Sequence, residues 1–271
     1  MTEKGCEPNV HTYTVLIDSM CKDNKLDEAR RMLNVMSEKR LVPSVVTYNA
    51  LVDGYCKEGM IKAALEVLDL MESNNCYPNA RTYNELICGF CKKREVHKAM
   101  ALLNKMLERK LSPSLITYNT LIHGQCKVGR LDSAYRLLNL MNENDLVPDQ
   151  WTYGVFIDTL CKQGRVEEAL TLFDSIKEKG IKANEVIYTA LIDGYCKAGK
   201  IDTAHSLLER MLKEDCSPNS YTYNVLIDGL CKEKKMQEAS SLVEKMSKIG
   251  CEAHSCYLYN SYRRNVEGWR L

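Results

Sequence analysis

One slot in the sequence recurs every 35 residues with a small or hydrogen-bonding side chain among mostly apolar neighbours: Thr14, Asn49, Asn84, Asn119, Gly154, Thr189 and Asn224. Asparagine carries both a donor and an acceptor, and threonine a short hydroxyl, the groups needed to read the edge of a base. Eight residues beyond each stands a lysine: Lys22, Lys57, Lys92, Lys127, Lys162, Lys197 and Lys232. Cations at so regular an interval suit a polyanion with one phosphate per step. A chain whose formal net charge is only +1 can therefore still present a basic track. A solvated last helical turn would also favour lysine through the helix dipole. That reading leaves unexplained why Asn and Thr cluster eight residues earlier on the same side.

Other chemistries fit the residues less well. Seven of the 13 cysteines fall at one slot (Cys21, Cys56, Cys91, Cys126, Cys161, Cys196 and Cys231), each followed by the lysine. Cys88-Gly-Phe-Cys91 is the one C-x-x-C, without a second pair or a histidine at ligand spacing, so the thiols read as structural and metal is not expected. Free cysteine on this scale implies a reducing compartment. His11, His97, His123, His205 and His254 occupy different slots, and Asp18, Asp53, Asp158, Asp193 and Asp228 are spread one per repeat. That row suits orienting lysine or water better than binding a metal. No catalytic constellation stands out, so neither enzymatic activity nor a cofactor or small-molecule substrate is expected. No apolar run approaches the ~18 residues of a membrane span.

The positioning elements follow from the period. In Thr47–Lys57, Tyr48, Leu51, Val52 and Tyr55 form one apolar helical stripe. At about 100° per residue, Asn49, Asp53, Cys56 and Lys57 lie beside it as a second, polar stripe. Gly59, Gly129, Gly164 and Gly199 suit the left-handed cap that ends such a helix. Asn24 accepts that conformation at modest cost, whereas Arg94 and Lys234 predict looser turns. A second helix over about 61–73 holds an alanine in every copy, from Ala29 to Ala239, where two helices approach closely, and a methionine column as core filler. Pro43, Pro78, Pro113, Pro148 and Pro218 are read as stopping it. A hairpin cannot bury its stripe alone, so the units must stack into an all-α solenoid. Complete units span 10–44, 45–79, 80–114, 115–149, 150–184, 185–219 and 220–254. Residues 1–9 match the tail of a further unit, and 255–271 lose the pattern.

The 35-residue period, Thr-Tyr-Asn-x-Leu-Ile-x-Gly-x-Cys-Lys, and the Ala, Met and Pro slots resemble pentatricopeptide repeats of the plant P class across residues 1–254. The tetratricopeptide repeat lacks this period, and its Trp-x-x-Leu-Gly signature is absent. The resemblance implies a right-handed superhelix of helix-turn-helix repeats that binds single-stranded RNA, one base per repeat. It implies that the residue after the Tyr reads the base edge and that the last residue of the unit tunes the choice: Ser44, Asn79, Ser114, Asp149, Asn184, Asn219 and His254. The residue before the Thr packs on the base face: His11, Val46, Arg81, Ile116, Trp151, Val186 and Tyr221. The lysines sit near phosphate.

Applied pair by pair, the resemblance implies the target 5′-A-(C/U)-C-U-A-A-(C/U)-3′. Asn119 with Asp149 points to U, and Thr189 with Asn219 to A. Trp151 and Tyr221 depart from the usual apolar type in a direction that adds base stacking. A protein–protein solenoid with a peptide in its concave groove is the competing reading; it would call for apolar pockets or a carboxylate clamp. The resemblance further implies organellar RNA processing, stabilisation, splicing or translation, in mitochondrion or chloroplast with the mitochondrion favoured, although no transit segment opens the chain. The partial unit at Met1 suggests a piece of a longer array. The tail with Arg263, Arg264 and Trp269 suggests a weak cap or the scar of a truncated reading frame.

Overall fold

The computed structural model describes residues 7–248. The expectations placed on residues 1–6, His254 and 255–271 lie outside them. Among the described residues the chain is all-helical, and every helix has 13 residues. The first helices of the hairpins are α1 (Val10–Lys22), α3 (Val45–Lys57), α5 (Ala80–Lys92), α7 (Leu115–Lys127), α9 (Gln150–Lys162), α11 (Glu185–Lys197) and α13 (Ser220–Lys232). The second helices are α2 (Leu26–Glu38), α4 (Ile61–Ser73), α6 (Val96–Glu108), α8 (Leu131–Glu143), α10 (Val166–Glu178), α12 (Ile201–Lys213) and α14 (Met236–Lys248).

The chain forms two compact units that divide between Val147 and Pro148. In the first, α1, α3, α5 and α7 pack in sequence and each also packs on its own second helix; in the second, α9, α11 and α13 do the same. The core is the predicted stripe. Tyr48, Tyr83, Leu51, Leu86 and Met71 are fully enclosed in the first unit, and Tyr188, Leu191 and Met211 in the second. The column Ala29, Ala64, Ala99, Ala134, Ala169, Ala204 and Ala239 has no solvent exposure, as expected of close helix crossings.

The cysteine column has a packing role. An ideal Cβ on Gly54 would lie 2.9 Å from the Cys21 Cβ, and one on Gly89 2.9 Å from the Cys56 Sγ and 2.6 Å from the Ile61 Cδ1. Gly194 and Gly229 stand in the same relation to Cys161 and Cys196. A residue without a side chain on one first helix thus lets the thiol of the preceding one close the gap. Burial pushes the thiols of Cys56, Cys91, Cys161 and Cys196 up to about 12, which keeps them protonated and unreactive.

Two expectations about helix ends are corrected. Arg94 and Lys234 both stand at φ 61°, in the left-handed conformation that Gly59 adopts at φ 70°. Their turns are no looser than those at glycine. The Arg94 N–H donates to the Cys91 carbonyl (3.0 Å) and the Glu95 N–H to the Phe90 carbonyl (2.9 Å), the same pair of bonds that closes the Gly59 turn. Stacking on both sides fixes the turn, and the non-glycine residue absorbs the strain. Nor does proline stop the second helix. Arg40, Asn75, Lys110, Asp145, Gly180 and Asp215 reverse the chain at positive φ, three residues before the proline or its substitute. Pro43, Pro78, Pro148 and Pro218 are buried in the connection that follows.

Candidate nucleic-acid interface

Each first helix is opened by a side-chain cap, and the capping residue is the one that closes the preceding unit. Ser44 accepts from the Thr47 N–H, Asn79 from Thr82, Ser114 from Thr117, Asp149 from Thr152, Asn184 from Ile187 and Asn219 from Thr222. One oxygen of each of these six residues, assigned to tuning, is thereby committed to its helix. The remaining polar atom of the head group is an amide nitrogen in Asn and a second carboxylate oxygen in Asp, a donor in one case and an acceptor in the other. His254 lies outside the described residues.

The reading column is less exposed than a surface stripe would be. Thr14, Asn49, Asn119 and Thr189 are buried, and Asn84, Gly154 and Asn224 half-buried. Asn49, only 3% exposed, lies in the wall between two neighbouring first helices. Its Nδ2 donates to the Asn79 Oδ1 (3.3 Å) and its Oδ1 accepts from the Thr82 hydroxyl (2.7 Å). The residues assigned to reading and tuning in the second repeat are therefore in direct contact.

Beside that column the residues assigned to base packing stand in solvent. Val46 is 61% exposed and Ile116 67% in the first unit, with His11 and Arg81 also exposed; in the second, Trp151, Val186 and Tyr221 are exposed. Covering such a side chain with the face of a ligand would contribute up to roughly 1.5–3 kcal/mol.

All seven lysines are exposed, but five are already neutralised by a carboxylate one turn earlier. Asp18–Lys22, Asp53–Lys57, Asp158–Lys162, Asp193–Lys197 and Asp228–Lys232 are ion pairs of 2.5–2.6 Å. The hydrogen bond to Asp53 holds the Lys57 ammonium above its usual range, and Asp193 does the same for Lys197. The aspartate row therefore orients lysine. Lys92 and Lys127 have Cys88 and His123 in that place and no ion pair among the described residues. The uniform basic track read from the sequence is thus uneven. Sequence reasoning also passed over Glu85, whose carboxyl is raised by burial and then by the neighbouring Asp53 charge.

Models of the PPR repeat family match residues 43–92, 81–127, 113–162 and 183–232, and PPR repeat models match 4–37, 151–181 and 221–251. The chain belongs to the pentatricopeptide repeat family. A search of curated protein sequences finds no match. Among solved structures, the chain is similar to the pentatricopeptide repeat protein PPR10 from maize, with 28% identity and a TM-score of 0.63 over 97% of this chain and 42% of that one. PPR10 in complex with an 18-nt psaJ RNA element superposes equally well, at 22% identity, and covers 98% of this chain and 44% of that one. The chain thus spans under half the length of these relatives. The PPR domain of the Arabidopsis thaliana protein-only RNase P 1, solved with tRNA, matches 68% of this chain and 94% of its own at 18% identity and a TM-score of 0.55. Within each unit, this repeat fold sets a hydrogen-bonding wall, an exposed row that is apolar at Val46, Ile116, Trp151, Val186 and Tyr221, and a lysine row on its first helices.

Proposed function

We propose that the chain binds single-stranded RNA, one base per repeat, with the first four bases read by the first unit and the last three by the second. The observation that carries the reading is made in each unit by itself: exposed Val46 and Ile116 in the first, and Trp151, Val186 and Tyr221 in the second, stand beside an Asn/Thr wall. Flat apolar faces stack between such residues while their edges meet hydrogen-bonding groups, and base–aromatic stacking contributes about 1–3 kcal/mol per base. A folded peptide ligand would not account for one Asn or Thr and one lysine per repeat. That PPR10 was solved with an RNA element, and a protein-only RNase P PPR domain with tRNA, supports the same reading. The target is 5′-A-(C/U)-C-U-A-A-(C/U)-3′, and the setting is an organellar transcript that binding protects, defines or remodels.

A gel shift with 5′-ACCUAAC-3′ and a scrambled sequence tests this. Tighter binding of the first is expected; equal affinity would overturn the base assignments, and no binding at low salt would favour a peptide ligand. Asn119→Thr should move preference at the fourth base from U toward a purine, by about five- to a hundredfold in relative affinity. Unchanged preference would remove Asn119 as the reader.

A further inference from the structure

Four of the side chains assigned to base reading meet the next repeat. In four places within the two units, the reader touches a threonine hydroxyl 33 residues further on, at 2.7 Å: Thr14 with Thr47, Asn49 with Thr82, Asn84 with Thr117 and Thr189 with Thr222. All four threonines are fully buried. Each is the third residue of its own first helix and takes part in the cap described above.

The second repeat shows what this achieves. The Asn79 Oδ1 is fixed by the Thr82 N–H (3.1 Å), and the Asn79 N–H donates to the Thr82 hydroxyl oxygen (3.1 Å). That hydroxyl has one proton, and its shortest acceptor is the Asn49 Oδ1 at 2.7 Å, against 3.2 Å for the Asn79 Oδ1. Turning the Asn49 amide over would set its oxygen against the Asn79 oxygen. The amide therefore has one orientation before any base arrives, set by Asn79 of its own repeat together with the Thr82 hydroxyl of the next, which supplies the donor to its oxygen.

The exception obeys the same rule. Ile187 occupies the threonine slot of the sixth repeat, and it faces the one reader that has no side chain, Gly154. Ile187 is 1% exposed, and a Cβ added to Gly154 would lie 3.4 Å from the Ile187 Cγ1. Where there is nothing to orient, the hydroxyl is replaced by a methyl group that fills the space.

We propose that the third residue of each first helix is a positioning residue for base selection by the preceding repeat, so that a repeat's specificity is completed by its C-terminal neighbour. The proposal rests on the base-reading assignment above. It also means that Ile187 has no reader side chain to orient at Gly154, so that base choice in the fifth repeat is left to Asn184, and that a reader placed at Gly154 needs a hydroxyl at 187 to be oriented.

The test measures affinity of the full chain for 5′-ACCUAAC-3′ and for RNAs with each base in turn at positions two, three and five. Thr82→Val should lower discrimination at the second base about fivefold or more while leaving the third base, read by Asn84, unchanged; Thr82→Ser should restore it. A loss spread evenly over all bases would mark Thr82 as structural only and overturn the proposal, as would unchanged discrimination at the second base. If the parent chain shows no base preference, the base-reading assignment itself fails. Should Thr82→Val not fold, the fifth repeat decides. Gly154→Asn alone should confer little new preference at the fifth base, and Gly154→Asn with Ile187→Thr should confer a pyrimidine preference of at least about fivefold. Equal preference in the single and double variants would overturn the proposal.

Discussion

Lys57 and Lys127 occupy the same slot, yet only Lys57 has a carboxylate beside it, at 2.6 Å. An incoming phosphate must compete with Asp53 for Lys57 but not for Lys127. We therefore expect Lys127→Ala to weaken binding of all RNAs alike and to lower the salt slope by about 0.7, the loss of one single-strand phosphate contact. Lys57→Ala should do less on both counts, and a sequence-selective loss at Lys127 would contradict a phosphate role. Conversely, Asp158→Asn frees Lys162 from its ion pair and should raise affinity roughly two- to fivefold at low salt, an effect that fades as salt rises. Reduced affinity, measured by filter binding over a range of salt, would show that Asp158 holds Lys162 in a productive pose. Residue types and period made both columns legible in the sequence. The neutralising pairs were legible too, since Asp and Lys four apart on a helix meet. The burial of Asn49 and its bond to Thr82 were not, because that partner lies 33 residues away and its slot reads locally as a helix start. The readable clue was the coincidence of Gly154 with Ile187, the two places where both columns break.

A helical hairpin here is defined by its ends as much as by its stripe. The stripe was plain from spacing alone, and Tyr48, Leu51, Val52 and Tyr55 are all in the core. The ends were misjudged where a residue's own preference conflicted with its place. Arg94 and Lys234 hold φ 61° although a side chain there costs roughly 1–2 kcal/mol relative to glycine, because two hydrogen bonds and the packed helices on either side dictate the turn. Arg94→Gly should therefore stabilise the protein by about 1 kcal/mol, read as a higher midpoint in urea with an unchanged slope. A lower midpoint would show that the Arg94 side chain contributes more than its backbone costs. Gly89 makes the opposite case. A Cβ there would come within 2.6 Å of the Ile61 Cδ1 and 2.9 Å of the Cys56 Sγ, so Gly89→Ala forces α3 and α5 apart. It should cost about 1–3 kcal/mol, and a neutral substitution would mean that the helices can slide to make room. The same sequence slot, Gly in Leu-Ile-x-Gly-x-Cys-Lys, was visible from the start. Its reason, a thiol from the preceding helix filling the gap, appears only once the helices are side by side.

At the scale of the whole molecule, the repeated burial of one weak acid becomes a collective property. Cys56, Cys91, Cys161 and Cys196 have their thiols raised from 9.0 to about 12 by burial, and Cys21 to about 11. Below about pH 8 the folded and unfolded chains both keep these protons, and the thiols contribute little to pH dependence. Between about pH 9 and 12 the unfolded chain ionises while the folded chain holds its protons, so each buried thiol costs up to about 1.4 kcal/mol of stability per pH unit. Tyr48, Tyr83 and Tyr118, also raised by burial, add to the loss in the same direction above about pH 10. Because the thiols recur at a fixed slot, their contributions come over one pH range in both compact units. The melting temperature should be flat from about pH 7 to 8, begin to fall by about pH 9 and fall steeply above it, with no matching transition on the acid side from this group. Replacing Cys56 and Cys91 by alanine should make the alkaline fall shallower, even though it lowers the melting temperature at pH 7 through lost packing. An unchanged alkaline slope in that double variant would show that thiol ionisation does not limit the fold at high pH and would leave the tyrosines to account for it.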